Sequence, residues 1–217
     1  MKKGIGVLVV IISFLMISNM VAAKDSRVLT GKIALEQNGN QRLSQLALDV
    51  PVGKIEVRVV NGDAVTYKVK IEDDSSSWSL FSVDLDTIKV SEDVTEQTAS
   101  LKIDEDDVSQ KWTLIVPPEL ALSFRVGVGN LNVDSFSQSL FADIGVGSAW
   151  ISVDSTDYRS VLAEVGVGEI QMSGFEPGEL HKERAVVSEE LRYSGTGAHT
   201  IDINIGVGDV NLSRQTL

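Results

Sequence analysis

Trp150 has a clear capacity for recognition chemistry because of the residues that share its position. It stands in a short segment that recurs along the chain. Three other copies place Asn132, Gln171 and Asn211 at the equivalent site, and a weaker fifth places Glu56 there. If the copies stack as neighbouring strands, an indole face lies beside amide side chains on one exposed sheet. A flat aromatic next to amides suits the apolar face and the hydroxyls of a sugar ring. The opposing expectation is that a loop or flanking side chains cover Trp150 and the indole simply shields the sheet, because large aromatics are usually substantially buried.

Provision for catalysis is thin. The 217 residues contain two histidines, His181 and His199, and no cysteine, which excludes cysteine nucleophiles and cysteine-based metal sites. Neither H-E-x-x-H nor G-x-S-x-G occurs. His199 precedes the alternating Ile201/Ile203/Ile205 strand and reads as a hydrogen-bonded or solvated loop residue. Paired carboxylates for sugar cleavage could be drawn from 31 acidic residues at any spacing, so their presence identifies nothing. The acidic runs Glu72-Asp73-Asp74 and Asp104-Glu105-Asp106-Asp107 lack the spaced oxygens, central glycine and closing glutamate of an EF-hand loop. They read as solvated turns that keep strand edges from pairing. No catalytic, cofactor-binding or metal-ligating residue is assigned.

The recurring segment has a strict core: Val126-Gly127-Val128-Gly129, Ile144-Gly145-Val146-Gly147, Val165-Gly166-Val167-Gly168 and Ile205-Gly206-Val207-Gly208. One polar residue follows each (Asn130, Ser148, Glu169, Asp209), then an apolar, a polar or large, and an apolar residue. Val50-Pro51-Val52-Gly53-Lys54-Ile55-Glu56-Val57 is the weak fifth copy. None of these glycine pairs sits in the strand–turn–helix setting of a dinucleotide fold or in a phosphate loop. A spacing near twenty residues also rules against calcium-binding nonapeptide repeats.

The parity of the pattern predicts a bend. Val126 and Val128 are expected on one face, and Leu131 and Val133 on one face, yet the step from 128 to 131 is odd. The chain must turn at Gly129-Asn130 for both pairs to point inward, and the equivalent corner glycines are Gly53, Gly147, Gly168 and Gly208. Two-residue hairpins or the corners of a stacked β-solenoid would both satisfy this parity. Spacing favours the solenoid: the strict second glycines stand at 129, 147, 168 and 208, and the last step is two rungs. The skipped rung centres near residue 188, where Ala185 to Tyr193 reads as a degraded copy. The apolar positions Val133/Ile151/Met172/Leu212 form one predicted core column.

Elsewhere period-2 alternation dominates. Ile55/Val57/Val59 and Val65/Tyr67/Val69/Ile71 flank Asn61-Gly62, which predicts a type I′ hairpin. Strand patterns continue through Ile88/Val90, Leu101/Ile103 and Trp112/Leu114/Val116 up to Pro117-Pro118. Only Glu176 to Arg184 has a helical look, for a turn or two.

These elements follow a leader. Met1-Lys2-Lys3, an apolar run from Ile5 to Ile17 and Val21-Ala22-Ala23 make residues 1–23 a secretory signal peptide, the alternative being an uncleaved anchor. Its removal changes the formal charge from −12 to −14, with 17 basic against 31 acidic residues. So acidic a chain is repelled by nucleic acid, which excludes that partner. Eight of the sixteen remaining glycines belong to the four strict copies.

The strict copies, the Pro-ended strand Trp112 to Pro118 and Tyr193-Ser194-Gly195-Thr196-Gly197 resemble the bacterial "putative adhesin" β-helix families, akin to the head GIN type. The similarity spans roughly residues 110 to 217, and 45 to 60 weakly. It implies a right-handed β-helix and a cell-envelope role, and brings no catalytic residues to transfer. The expectation is an all-β protein: a signal peptide, then one domain over 24–217 with irregular strands and hairpins to 118 and solenoid rungs of about 20 residues beyond. Its expected role is a non-enzymatic, exported scaffold or adhesin-like binding module, periplasmic or at the surface, with a glycan or envelope protein as partner. A polysaccharide-active enzyme or an envelope sensor is the alternative.

Overall fold

The computed structural model describes residues 26–37, 41–73, 83–105, 107–155, 157–175 and 178–214. The leader, Asp74, Asp106, Glu176 and Pro177 therefore lie outside the described residues. Everything described is strand, turn or loop, apart from one 3-10 turn at Leu85–Thr87. The first strands are β1 (Ser26–Ala34), the short pair β2 (Glu36–Gln37) and β3 (Gln41–Arg42), β4 (Gln45–Val59) and β5 (Ala64–Asp73). A middle group follows: β6 (Ser91–Thr95), β7 (Thr98–Lys102) and β8 (Val108–Val116). The strict copies occupy β9 (Ala121–Phe136), β10 (Leu140–Val153), β11 (Tyr158–Val167) with β12 (Ile170–Ser173), and β15 (His199–Val207) with β16 (Val210–Arg214). Between the last two copies lie β13 (Glu179–Ala185) and β14 (Ser188–Ser194). All but β2 and β3 join one open 14-stranded sheet.

The predicted bend is present and sharp. A straight 16-residue strand would run about 50 Å. Yet β10 pairs with β9 in parallel, and only Ser137-Gln138-Ser139 link them. Three residues cannot return 50 Å, so each long strand folds back at its glycines into two arms that face each other. Leu122, Phe124 and Val126 from the first arm and Leu131, Val133 and Phe136 from the second are all buried in the same core.

Both glycines of each pair are needed because the corners stack. A Cβ on Gly129 would stand 1.6 Å from the carbonyl oxygen of Gly53, at a backbone φ of +152° that side chains resist. A Cβ on Gly127 would stand 2.4 Å from the Pro51 carbonyl oxygen. The polar residue after the second glycine also has a task. Asn130 Oδ1 accepts from the Ser148 amide at 3.1 Å, and Asp209 Oδ1 accepts from the Glu169 amide at 3.0 Å.

The register departs from the expected order. First-arm strands run β6-β7-β4-β9-β10-β15-β11-β14-β13, and second-arm strands run β1-β5-β8-β4-β9-β10-β16-β12. The fourth copy is thus inserted between the second and third, where in-sequence stacking was expected. The core column survives this reordering: Val57, Val133, Ile151, Leu212 and Met172 follow one another across the strands.

Four further expectations are corrected. Val128, Val146, Val167 and Val207 do not point inward; each is about half exposed, because the turn starts at the first glycine and throws the next side chain to the outside. Asn61-Gly62 does not close a hairpin, since β8 lies between β4 and β5 and Asn61 has no positive φ. The segment 185–193 is not a degraded rung: β13 and β14 form an antiparallel hairpin turning at Val186-Val187. Within 176–184, residues 179–184 belong to strand β13, whose backbone is paired with β14 along its length while its side chains are exposed. Sequence reading also missed one rung. β7 pairs with the first arm of β4 and β8 with the second, and Gln110 stands opposite the corner glycine Gly53.

Candidate ligand face

The outward side of the second arms carries the predicted row. Trp150 is paired directly with Asn132 on one side and Asn211 on the other. Gln171 lies beyond Asn211, and Glu56 beyond Asn132. All five residues named from the repeat alignment therefore stand side by side on adjacent strands, about 4.8 Å apart. Trp150 is 46% exposed, so the indole is not mostly buried and stands partly open to solvent. Asn211 Nδ2 donates to Gln171 Oε1 at 3.4 Å. Among the described residues Asn132 Oδ1 has no hydrogen-bond partner, and it is closed off from solvent.

The charge at one end of this row was not foreseen. Glu56 is bracketed by Lys54 at 2.9 Å and Lys111 at 3.6 Å. The hydrogen bond from Lys54 and the charges of both lysines hold its carboxyl below the usual range, outweighing partial burial. Lys111 escaped the repeat analysis because it belongs to β8, the rung without corner glycines. The signal available was the alternation through Trp112/Leu114/Val116, which fixes Lys111 as outward-facing.

The remaining sequence candidates are engaged separately. His181 pairs with Glu183 at 2.8 Å, and His199 lies 3.7 Å from Asp157. Among the described residues no group of three or more His, Cys, Asp or Glu is placed to hold a metal ion. No helix among them is long and apolar enough to cross a membrane.

A cleft of about 430 Å³ opens on the first-arm side, where Glu164 and Glu190 oppose each other. Arg192 beside Glu190 lowers the pKa of that carboxyl. Glu189, also on the cleft, is pushed up by burial. It is pulled down further by the Ile170 amide, Lys182 and Arg184, and the net direction is down. Acid catalysis of glycoside cleavage needs a carboxyl moved the other way.

No family model and no curated protein matches this chain. Solved structures resemble it at low identity. A "putative cell adhesion protein" from Clostridium sporogenes ATCC 15579 is 16% identical, with 87% of this chain and 100% of that one covered and a TM-score of 0.43. A "putative adhesin" from Bacteroides fragilis NCTC 9343 is 12% identical, with 87% and 97% covered and a TM-score of 0.34. A third, from Parabacteroides merdae ATCC 43184 and described in the same words, is 9% identical, with 88% and 97% covered and a TM-score of 0.22. TM-scores this low establish neither a common fold nor a common role.

Proposed function

We propose that this chain is an exported, non-enzymatic binding module of the cell envelope that holds a saccharide across the second-arm face. The observation that carries the reading is the exposed indole of Trp150 at the centre of a row of amides in direct register. One sugar ring stacks on the indole, and neighbouring hydroxyls reach Asn132, Asn211 and Gln171. The fold is read as a β-solenoid of two-armed rungs with its last rung inserted out of order, within one unit over 24–217. Residues 1–23 are read as the export signal.

An enzyme acting on polysaccharide is the less favoured reading. On the first-arm cleft the Glu189 and Glu190 carboxyls are lowered in pKa by cations and an amide, the direction opposite to the one a glycosidic acid needs. Calorimetric titration of the 24–217 protein with cellotriose tests the proposal. Trp150→Ala is expected to reduce affinity about tenfold or more, the loss of one well-placed aromatic contact. Retention of wild-type affinity by Trp150→Ala contradicts it.

A further inference from the structure

The lysines at the Glu56 end of the Trp150 row form a row of their own. Lys54, Lys111 and Lys70 are paired directly across three consecutive strands, and Lys68 faces outward one alternate position along β5. Like charges placed directly opposite one another destabilise a sheet. Two glutamates offset part of this: Glu56 serves Lys54 and Lys111, and Glu72 serves Lys70 at 2.5 Å. Four lysines against two glutamates leave a cationic patch on a chain whose formal charge is −12. A shallow cleft of about 410 Å³ opens on the patch, lined by Lys54, Lys70 and Lys111 together with Glu72 and Ser109.

Position ties the patch to the indole. Lys54 lies two strands and one alternate residue from Trp150, a diagonal of about 12 Å. That is the reach of a ligand one or two sugar units longer than the ring stacked on the indole. The opposite end of the Lys54 row carries Asp209 and Glu169, so the face is electrostatically polar along its length.

Resting on the proposed saccharide-binding role of the Trp150 row, we propose that the ligand is an acidic saccharide whose anionic group lies on Lys54 and Lys111 while a neighbouring ring stacks on Trp150. The anionic group is a carboxylate, or a sulfate or phosphate ester, carried by the sugar. Charge-assisted hydrogen bonds from two ammonium groups would hold it. The negative charge of the whole chain does not prevent this, because at physiological ionic strength it is screened beyond about 8 Å. The acidic unit points toward β8, since Asp209 and Glu169 repel it at the other end.

The experiment compares two trisaccharides of the same backbone, neutral cellotriose and its C6-carboxylated counterpart, β-1,4-triglucuronate. Inorganic phosphate serves as a free-anion probe. At physiological ionic strength the 24–217 protein is expected to bind triglucuronate about tenfold tighter than cellotriose, as a charge-assisted contact requires. The Lys54→Gln/Lys111→Gln protein is expected to lose that preference yet keep its cellotriose affinity. Lys54→Arg/Lys111→Arg is expected to retain the preference, separating charge from packing. Equal affinity for the two sugars in the wild type overturns the acidic-ligand inference and leaves the Trp150 role standing. Binding of neither sugar overturns both. Inorganic phosphate displacing triglucuronate at equal concentration overturns a sugar-borne anion. Circular dichroism and melting of each variant confirm that these exposed substitutions leave the fold intact.

Discussion

The Lys182 ammonium and the Glu189 carboxylate, 3.1 Å apart, stand where a further rung would present its backbone to Ile170. Along the stack, the amide after each corner donates to the next rung's corner residue: Ala149 to the Asp209 carbonyl and Val210 to the Glu169 carbonyl, both at 2.9 Å. Ile170 belongs to the last rung. Its amide donates instead to Glu189 Oε2 at 2.5 Å, and its carbonyl accepts from Lys182 Nζ at 2.6 Å. Glu189 occupies the inward row of Val126, Ile144, Ile205 and Val165, which explains how a carboxylate comes to be 4% exposed. An ion pair from the β13–β14 hairpin thus closes the end of the stack.

Removing this cap leaves a buried amide without an acceptor. Glu189→Ala is expected to lower stability by about 2 kcal/mol, the cost of one orphaned donor. Glu189→Gln keeps an acceptor oxygen and should cost less. Urea unfolding of the two variants measures the difference.

Acid should open the same end. The Glu189 carboxyl lies below its ordinary 4.5 in the folded protein, so the unfolded chain takes up its proton first as pH falls. The stabilisation is therefore complete above about pH 4.5 and is lost progressively below it. Melting curves from pH 7 to 3 should show a shallower acid decline in Glu189→Gln than in the wild type.

The corners should tolerate no side chain. Gly147→Ala places a Cβ 1.6 Å from the Gly129 carbonyl oxygen at φ +149°, and is expected to cost about 3 kcal/mol or more. Gly62→Ala meets nothing nearer than 3.9 Å and should cost under about 1 kcal/mol. Thermal melts of the pair separate a stacked corner from an ordinary loop.

The outward valines should matter little to stability. Val146→Ser is expected to change it by less than about 0.5 kcal/mol. Ile144→Ala, two residues earlier and fully buried, should cost about 2–5 kcal/mol. Parity in which both point inward would predict comparable losses.

The repeat made the corners and the Trp150 row legible, because Gly-x-Gly followed by a polar residue repeats in a phase that the register preserves. Alternation located most strands for the same reason. Stacking order was not legible: Gly147 accommodates the Gly208 corner as readily as a Gly168 one, so local pattern cannot rank the rungs. The pair β7 and β8 was hidden because Gln110, and not a glycine, stands opposite the Gly53 corner, and with it went Lys111. Val128 was misplaced because parity counts residues and does not say on which glycine the chain turns. The Asn61-Gly62 signal was real for a turn and silent about β8 filling the gap between its flanking strands.

Ligand on the Trp150 row would be reported by the indole itself. In a ¹⁵N-labelled 24–217 protein, Trp112 is fully buried and Trp150 is 46% exposed, so their indole N–H resonances report separate places. Titration with β-1,4-triglucuronate is predicted to shift the Trp150 indole resonance together with the side-chain amides of Asn132 and Asn211, leaving Trp112 in place. Saturation of binding with the Trp150, Asn132 and Asn211 resonances unmoved would place the ligand elsewhere and contradict binding on this row.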